Sequence, residues 1–87
     1  MSVSGELQSN AETLLHHVVS SIVENPDDVS IDASEDGDDT VRFDVRVGDG
    51  DMGRVIGKRG RTAHAIRALV RAAAAKDGTS VDVEFVD

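Results

Sequence analysis

"VIGKRGRTAHAIRALV", residues 55–70, decides the reading of this 87-residue chain. An apolar pair, Val55 and Ile56, runs into two glycines that bracket two cations, Gly57-Lys58-Arg59-Gly60. Glycine at both ends lets the backbone turn tightly and approach a ligand with no Cβ in the way. Helical spacing then resumes. Ala63, Ile66, Leu69, Val70 and Ala73 predict the buried stripe of a helix over 61–76, and Gly78 supplies its C-terminal stop. The free N–H groups and the dipole at that helix's N-terminus favour an anion. Lys58 and Arg59 add charge at the tip of the turn. The stretch reads as a phosphate clamp, set against the plainer alternative of a solvated basic turn between two helices.

Charge supports the clamp once it is counted locally. The whole chain has nine Lys and Arg against seventeen Asp and Glu, a net charge of −8. Residues 51–76 hold seven of those bases against Asp51 alone, a balance of 7 − 1 = +6. The remainder has two bases against sixteen acids, 2 − 16 = −14. A polyanion responds to the local field more than to the net charge.

Outward from the loop, the other elements follow from periodicity. "GDGD", residues 48–51, breaks the chain, and Asp51 is expected to cap a short helix over 52–56 that Gly57 stops. "VRFDVRV", residues 41–47, alternates apolar and polar and reads as the best strand. Val29, Ile31 and Ala33 alternate as a shorter one, joined to it through a turn at "SEDGDD", residues 34–39. "SVDVEFV", residues 80–86, is the last strand. Ala11, Leu14, Leu15, Val18, Ile22 and Val23 make the apolar face of a first helix, with Ser9 and Glu12 at capping-box spacing. Asn25-Pro26 ends that helix. Residues 1–9 read as a flexible tail and 10–87 as one domain. The expected architecture is a two-layer α+β sandwich, three helices on one face of a three-stranded sheet.

Two nucleotide-binding readings fail on spacing. "GDGDMG", residues 48–53, matches G-x-G-x-x-G, but Asp49 and Asp51 would sit where a pyrophosphate belongs. A P-loop needs four residues between its first glycine and the Gly-Lys; Gly53 to Gly57 leaves three, and Arg59 stands where Ser or Thr is required.

With the loop, its flanking helices and the element order in agreement, the chain resembles a type II KH domain, whose signature is an apolar pair, I-G-x-x-G and an amphipathic helix. It is similar to the small bacterial single-KH proteins of the KhpA family, cytoplasmic proteins regarded as RNA chaperones. "ENPDDV", residues 24–29, also resembles that family's linker after the first helix. The resemblance implies that Gly57, Lys58, Arg59 and Gly60 contact the backbone of about four single-stranded nucleotides. It implies that Val55 and Ile56 line the groove where bases lie, and that Arg54, Arg61 and Arg67 assist with phosphates. It also implies RNA as partner, with single-stranded DNA not separable by residue type, and a homodimer or a heterodimer with a second KH-type protein.

No nucleophile or acid–base pair is arranged for chemistry, so a non-enzymatic binding module is expected, with no cofactor or metal. His16 and His17 are adjacent and point apart on a helix, and there is no cysteine to support a metal. No run is long enough to span a membrane and no signal peptide is expected, so the predicted location is cytoplasmic. The competing reading is a protein-interaction module in which the acidic surface docks a partner.

Overall fold

A computed structural model describes residues 3–37 and 39–86, with side chains from Asn10 onward. The elements are α1 (Val3–Ile22), β1 (Ser30–Glu35), β2 (Thr40–Arg46), α2 (Met52–Ile56), α3 (Arg61–Lys76) and β3 (Ser80–Phe85). Single 3₁₀ turns at Pro26–Asp28 and Lys58–Gly60 precede β1 and α3. The sheet runs β1-β2-β3, with β1 antiparallel to β2 and β2 parallel to β3. The α+β expectation is correct, including the β1–β2 hairpin.

The alternation in the strands sets the two faces. Ile31, Ala33 and Glu35 pair with Val45, Phe43 and Val41, which pair in turn with Phe85, Val83 and Val81. That face meets the helices, and Phe43, Val45, Val81 and Val83 are buried there. The opposite face carries Asp32, Arg42, Asp44, Asp82 and Glu84, with Arg42 Nε donating to Asp44 Oδ1 at 2.8 Å. The bond and charge of Asp44, with the nearby acids, raise the Arg42 pKa above its ordinary value.

Three details of the sequence reading are corrected. First, α1 begins at Val3, so Ser9 lies inside the helix and is not its cap. Second, the buried line of α1 is Ala11, Leu15 and Val19, while Leu14, Val18, Ile22 and Val23 are only half-buried on its flanks. Third, α3 buries Ala63, Ile66, Val70 and Ala74, and Leu69 is 47% exposed. In α1 a step of four residues, and in α3 steps of three and four, bring one line of side chains onto the core, and a neighbour turned by about 100° falls off the contact. β1 also runs through Ser34 and Glu35, which shortens the hairpin turn; Asp38 of that turn lies outside the described residues.

The far end of α3 is closed by a Schellman motif: Thr79 N–H donates to the Ala74 carbonyl at 3.0 Å and Gly78 N–H to that of Ala75 at 3.0 Å. Gly78 has φ +74°, the left-handed conformation the motif requires. Burial fixes the energetic ranking of the two leucines. Leu15→Ala should cost about 2–5 kcal/mol, the range for emptying a fully buried leucine site. Leu69→Ala should stay within roughly 0.5 kcal/mol of the parent, as surface changes do. Urea unfolding of both variants checks the ranking.

Candidate nucleic-acid interface

The glycine loop is held in place from behind by a single buried carboxylate. Asp51 is 1% exposed and is the only polar or charged residue in the buried class among the described residues. It occupies the cap position of α2, but its side chain makes no capping bond there. It reaches instead to the chain leaving α1. Oδ1 accepts from Glu24 N–H at 3.1 Å, and Oδ2 accepts from Asn25 N–H at 3.0 Å and Asn25 Nδ2 at 3.1 Å. Arg54 Nε lies 3.6 Å from Oδ1, and Arg54 Nη2 lies 3.3 Å from Glu24 Oε2. Burial pushes the Asp51 carboxyl upward, but the three N–H donors and the Arg54 charge outweigh it and hold the carboxyl below the usual carboxylate value.

Gly48 tightens the same junction. A Cβ there would stand 2.9 Å from Asp28 Oδ2 and 3.2 Å from Asn25 Cβ, so a larger residue would have to displace the Asp28 carboxylate for the β2–α2 connection to lie against the Pro26–Asp28 turn. From this anchor α2 drives Val55 fully into the core, with Met52 and Ile56 half-buried beside it. Gly57 N–H donates to the Gly53 carbonyl at 2.9 Å and closes α2.

The turn that follows has an unusual backbone. Gly57 has φ +76°, Arg59 φ +59° and Gly60 φ +74°. Arg59 pays about 1 kcal/mol or more for a left-handed conformation that glycine adopts freely. Gly60 N–H donates to the Gly57 carbonyl at 3.1 Å, which closes the four residues into one tight turn. A Cβ on Gly57 would overlap Thr62 Oγ1 and stand 2.9 Å from the Thr62 nitrogen, whereas one on Gly60 would meet nothing within 4 Å. The two glycines are therefore needed for different reasons, the first for close approach to α3 and the second for its φ alone.

Lys58, Arg59 and Arg61 are exposed, and none of them forms an ion pair among the described residues. No side chain caps the N-terminus of α3 beside them. Arg67 lies further along α3. Its Nε donates to the Val83 carbonyl at 3.0 Å, and its guanidinium sits 5.5 Å from the centre of the Phe85 ring. This fixes Arg67 along β3, an edge strand of the sheet.

Two of the sequence-predicted site residues have other work. Val55 has no exposed surface, so it cannot line a groove; its place in the pattern reflects the core. Arg54 is engaged by Glu24 and Asp51 and braces the anchor. The sequence alone offers Asp51 only as a helix cap. The signal that could have found it is its solitude: it is the one acid in the +6 block of residues 51–76.

With this geometry established, comparison with known proteins is decisive. Residues 12–85 match the model of the KhpA/KhpB KH domain. The chain belongs to this KH-domain family. It is similar to the RNA-binding protein KhpA of Halalkalibacterium halodurans, 41% identical over 76 residues that cover 87% of this chain and 99% of that one. The KhpA of Leifsonia xyli subsp. xyli is 51% identical over 73 residues, 84% of this chain and 92% of its own. Among solved structures, Era from Aquifex aeolicus, the Y63A variant bound to GDP·AlF4−, superposes with a TM-score of 0.63 at 19% identity. That match covers 86% of this chain and 29% of Era, and it speaks to the fold alone. The α-β-β-α-α-β order and the mixed sheet are thus those of a type II KH domain, with the Gly57-Lys58-Arg59-Gly60 turn between α2 and α3.

Gly57→Ala should lower the melting temperature more than Gly60→Ala, because only the first adds an overlap to the strain of positive φ; thermal unfolding followed by circular dichroism compares them. Asp51→Asn should destabilise by turning an amide N–H₂ toward donors. The Asp51 carboxyl is depressed in the folded state, so its contribution is fully present above the ordinary aspartate value of 3.8 and fades as pH falls through the lower folded value. The gap in urea midpoint between parent and Asp51→Asn should therefore be constant near neutral pH and shrink in acid. A gap that does not depend on pH would show that the carboxylate charge contributes nothing.

Proposed function

We propose that this KH domain, taken as residues 10–87, is a non-catalytic module that binds single-stranded RNA. The observation that carries the reading is the conjunction at Gly57–Arg61: three exposed cations without an ion pair among the described residues, on a turn with three positive φ values, beside a helix N-terminus that no described side chain caps. The relatives' name, RNA-binding protein KhpA, supports it. Gly57, Lys58, Arg59 and Gly60 hold the sugar-phosphate backbone, and Arg61 adds charge at the start of α3. Ile56, half-buried beside the turn, offers apolar surface to bases, and Arg67 marks the β3 side of the groove.

Low sequence selectivity follows from a short site dominated by backbone contacts. A role as an RNA chaperone in the cytoplasm fits that weak, general grip. Pairing with a second KH-type chain, or with a copy of itself, would raise the avidity of a four-nucleotide site. The net charge of −8 makes the interaction sensitive to salt, since only the local cations attract phosphate.

The test is a titration of a fluorescent single-stranded RNA pool at low and physiological salt. The parent should bind, with affinity falling as salt rises. Lys58→Asp/Arg59→Asp, folded by circular dichroism, should lose binding. In the milder Lys58→Gln the slope of log K against log salt should flatten by roughly 0.7, the loss of one phosphate contact on a single strand. Equal binding by the parent and the charge-reversed variant would overturn the clamp.

A further inference from the structure

A second concave site lies at the other end of the molecule, about 24 Å from the glycine loop along the sixteen residues of α3. It is a groove of about 380 Å³ between the sheet, the middle of α1 and the C-terminal end of α3. Its floor is apolar. Exposed Ala33 and half-buried Val41 of the sheet form its open part, and the largely buried Phe43, Val81, Ala11 and Ala74 complete the lining. Its existence follows from the fold. Ala33 shares a register row with Phe43 and Val83, which are buried, yet Ala33 is itself exposed, so the inner face of the sheet is left open at β1.

The rim is charged, and the charge has one sign. Glu12, Glu35 and Asp77 border the groove, and no Lys, Arg or His lines it among the described residues. The depression continues past Glu35 and Thr79 to Asp39. The C-terminus of α3 ends here as well, and its carbonyls add the negative end of the helix dipole. Asn10 Nδ2 donates to Asp77 Oδ2 at 3.4 Å and ties α1 to α3 across one side. This field repels phosphate, so the groove is not an extension of the RNA surface.

We propose that this groove docks a cationic amphipathic segment of a partner protein, with apolar side chains on the floor at Ala33 and Val41 and Lys or Arg against Glu12, Glu35 and Asp77. Charge complementarity selects the occupant. The apolar floor takes one face of an amphipathic helix, as in other helix-in-groove contacts, and the three carboxylates with no base among them take the flanking cations. Because the groove and the loop lie at opposite ends of α3, one chain can hold RNA and this segment together. The docking stands or falls independently of the RNA reading.

The probe is a synthetic fourteen-residue peptide of leucine and lysine, with leucines at helical i, i+3, i+4 spacing, titrated into the ¹⁵N-labelled chain. A peptide of the same composition, scrambled to abolish the apolar face, is the control. The expected result is saturable shifts at Ala33, Glu35, Val41 and Thr79, small shifts at Gly57–Gly60, and at least tenfold weaker binding of the scrambled peptide. Ala33→Trp, which fills the floor, and Glu35→Lys/Asp77→Lys, which reverses the rim, should each weaken binding at least tenfold. Both should keep the parent's circular dichroism spectrum, which shows that they fold. Lys58→Asp/Arg59→Asp should bind the peptide as the parent does. Shifts confined to other surfaces, no shifts at all, equal binding of the scrambled peptide, or full binding by both folded groove variants would overturn the proposal.

Discussion

The carboxylate of Asp51 is the constraint on which the rest of the site depends. A buried aspartate is costly unless nearly every lone pair finds a donor. Here Glu24 N–H, Asn25 N–H and Asn25 Nδ2 supply three, and Arg54 adds charge from the rim. All three N–H donors sit where α1 gives way to the Pro26–Asp28 turn. The bond set therefore joins two segments 26 and 27 residues apart and settles where α2 begins relative to α1. Once α2 is placed, Val55 is in the core, and Gly57 follows at its end. The loop is presented by a rigid element rather than left to find its own position.

That arrangement also explains why the strain of the turn is tolerable. Arg59 in a left-handed conformation would relax if its ends were loose. They are not: Gly57 is closed onto Gly53 on one side, and α3 is locked by Ala63, Ile66, Val70 and Ala74 on the other. The packing of α3 against the rest of the core thus maintains a backbone that points cations outward. Stability and site geometry come from the same contacts.

The separation of charge is equally structural. A chain of net −8 presents three cations without an ion pair among the described residues, while many of its acids are built elsewhere, on the outer sheet face, the hairpin and the far end of α3. The one acid within the basic block is turned inward and saturated with donors, where it cannot screen Lys58 or Arg59 from a ligand.

Periodicity and punctuation in the sequence determined the element order, α2 and α3 to the residue, the sheet's inner face and the G-x-x-G turn. These are local properties, set by steps of two and four residues and by glycines whose φ no other residue adopts freely. Tertiary structure alone decided the rest. It chose Val19 and Ala74 for the core and left Leu69 exposed, because a helix buries only the arc its neighbours cover. It sent Asp51 across to Glu24 and Asn25 instead of to its own helix, buried Val55 in the core and engaged Arg54 with Glu24 and Asp51. It left Ala33 uncovered above an acidic rim. Each of these depends on which distant segment lies opposite a residue, and spacing along one chain carries no record of that.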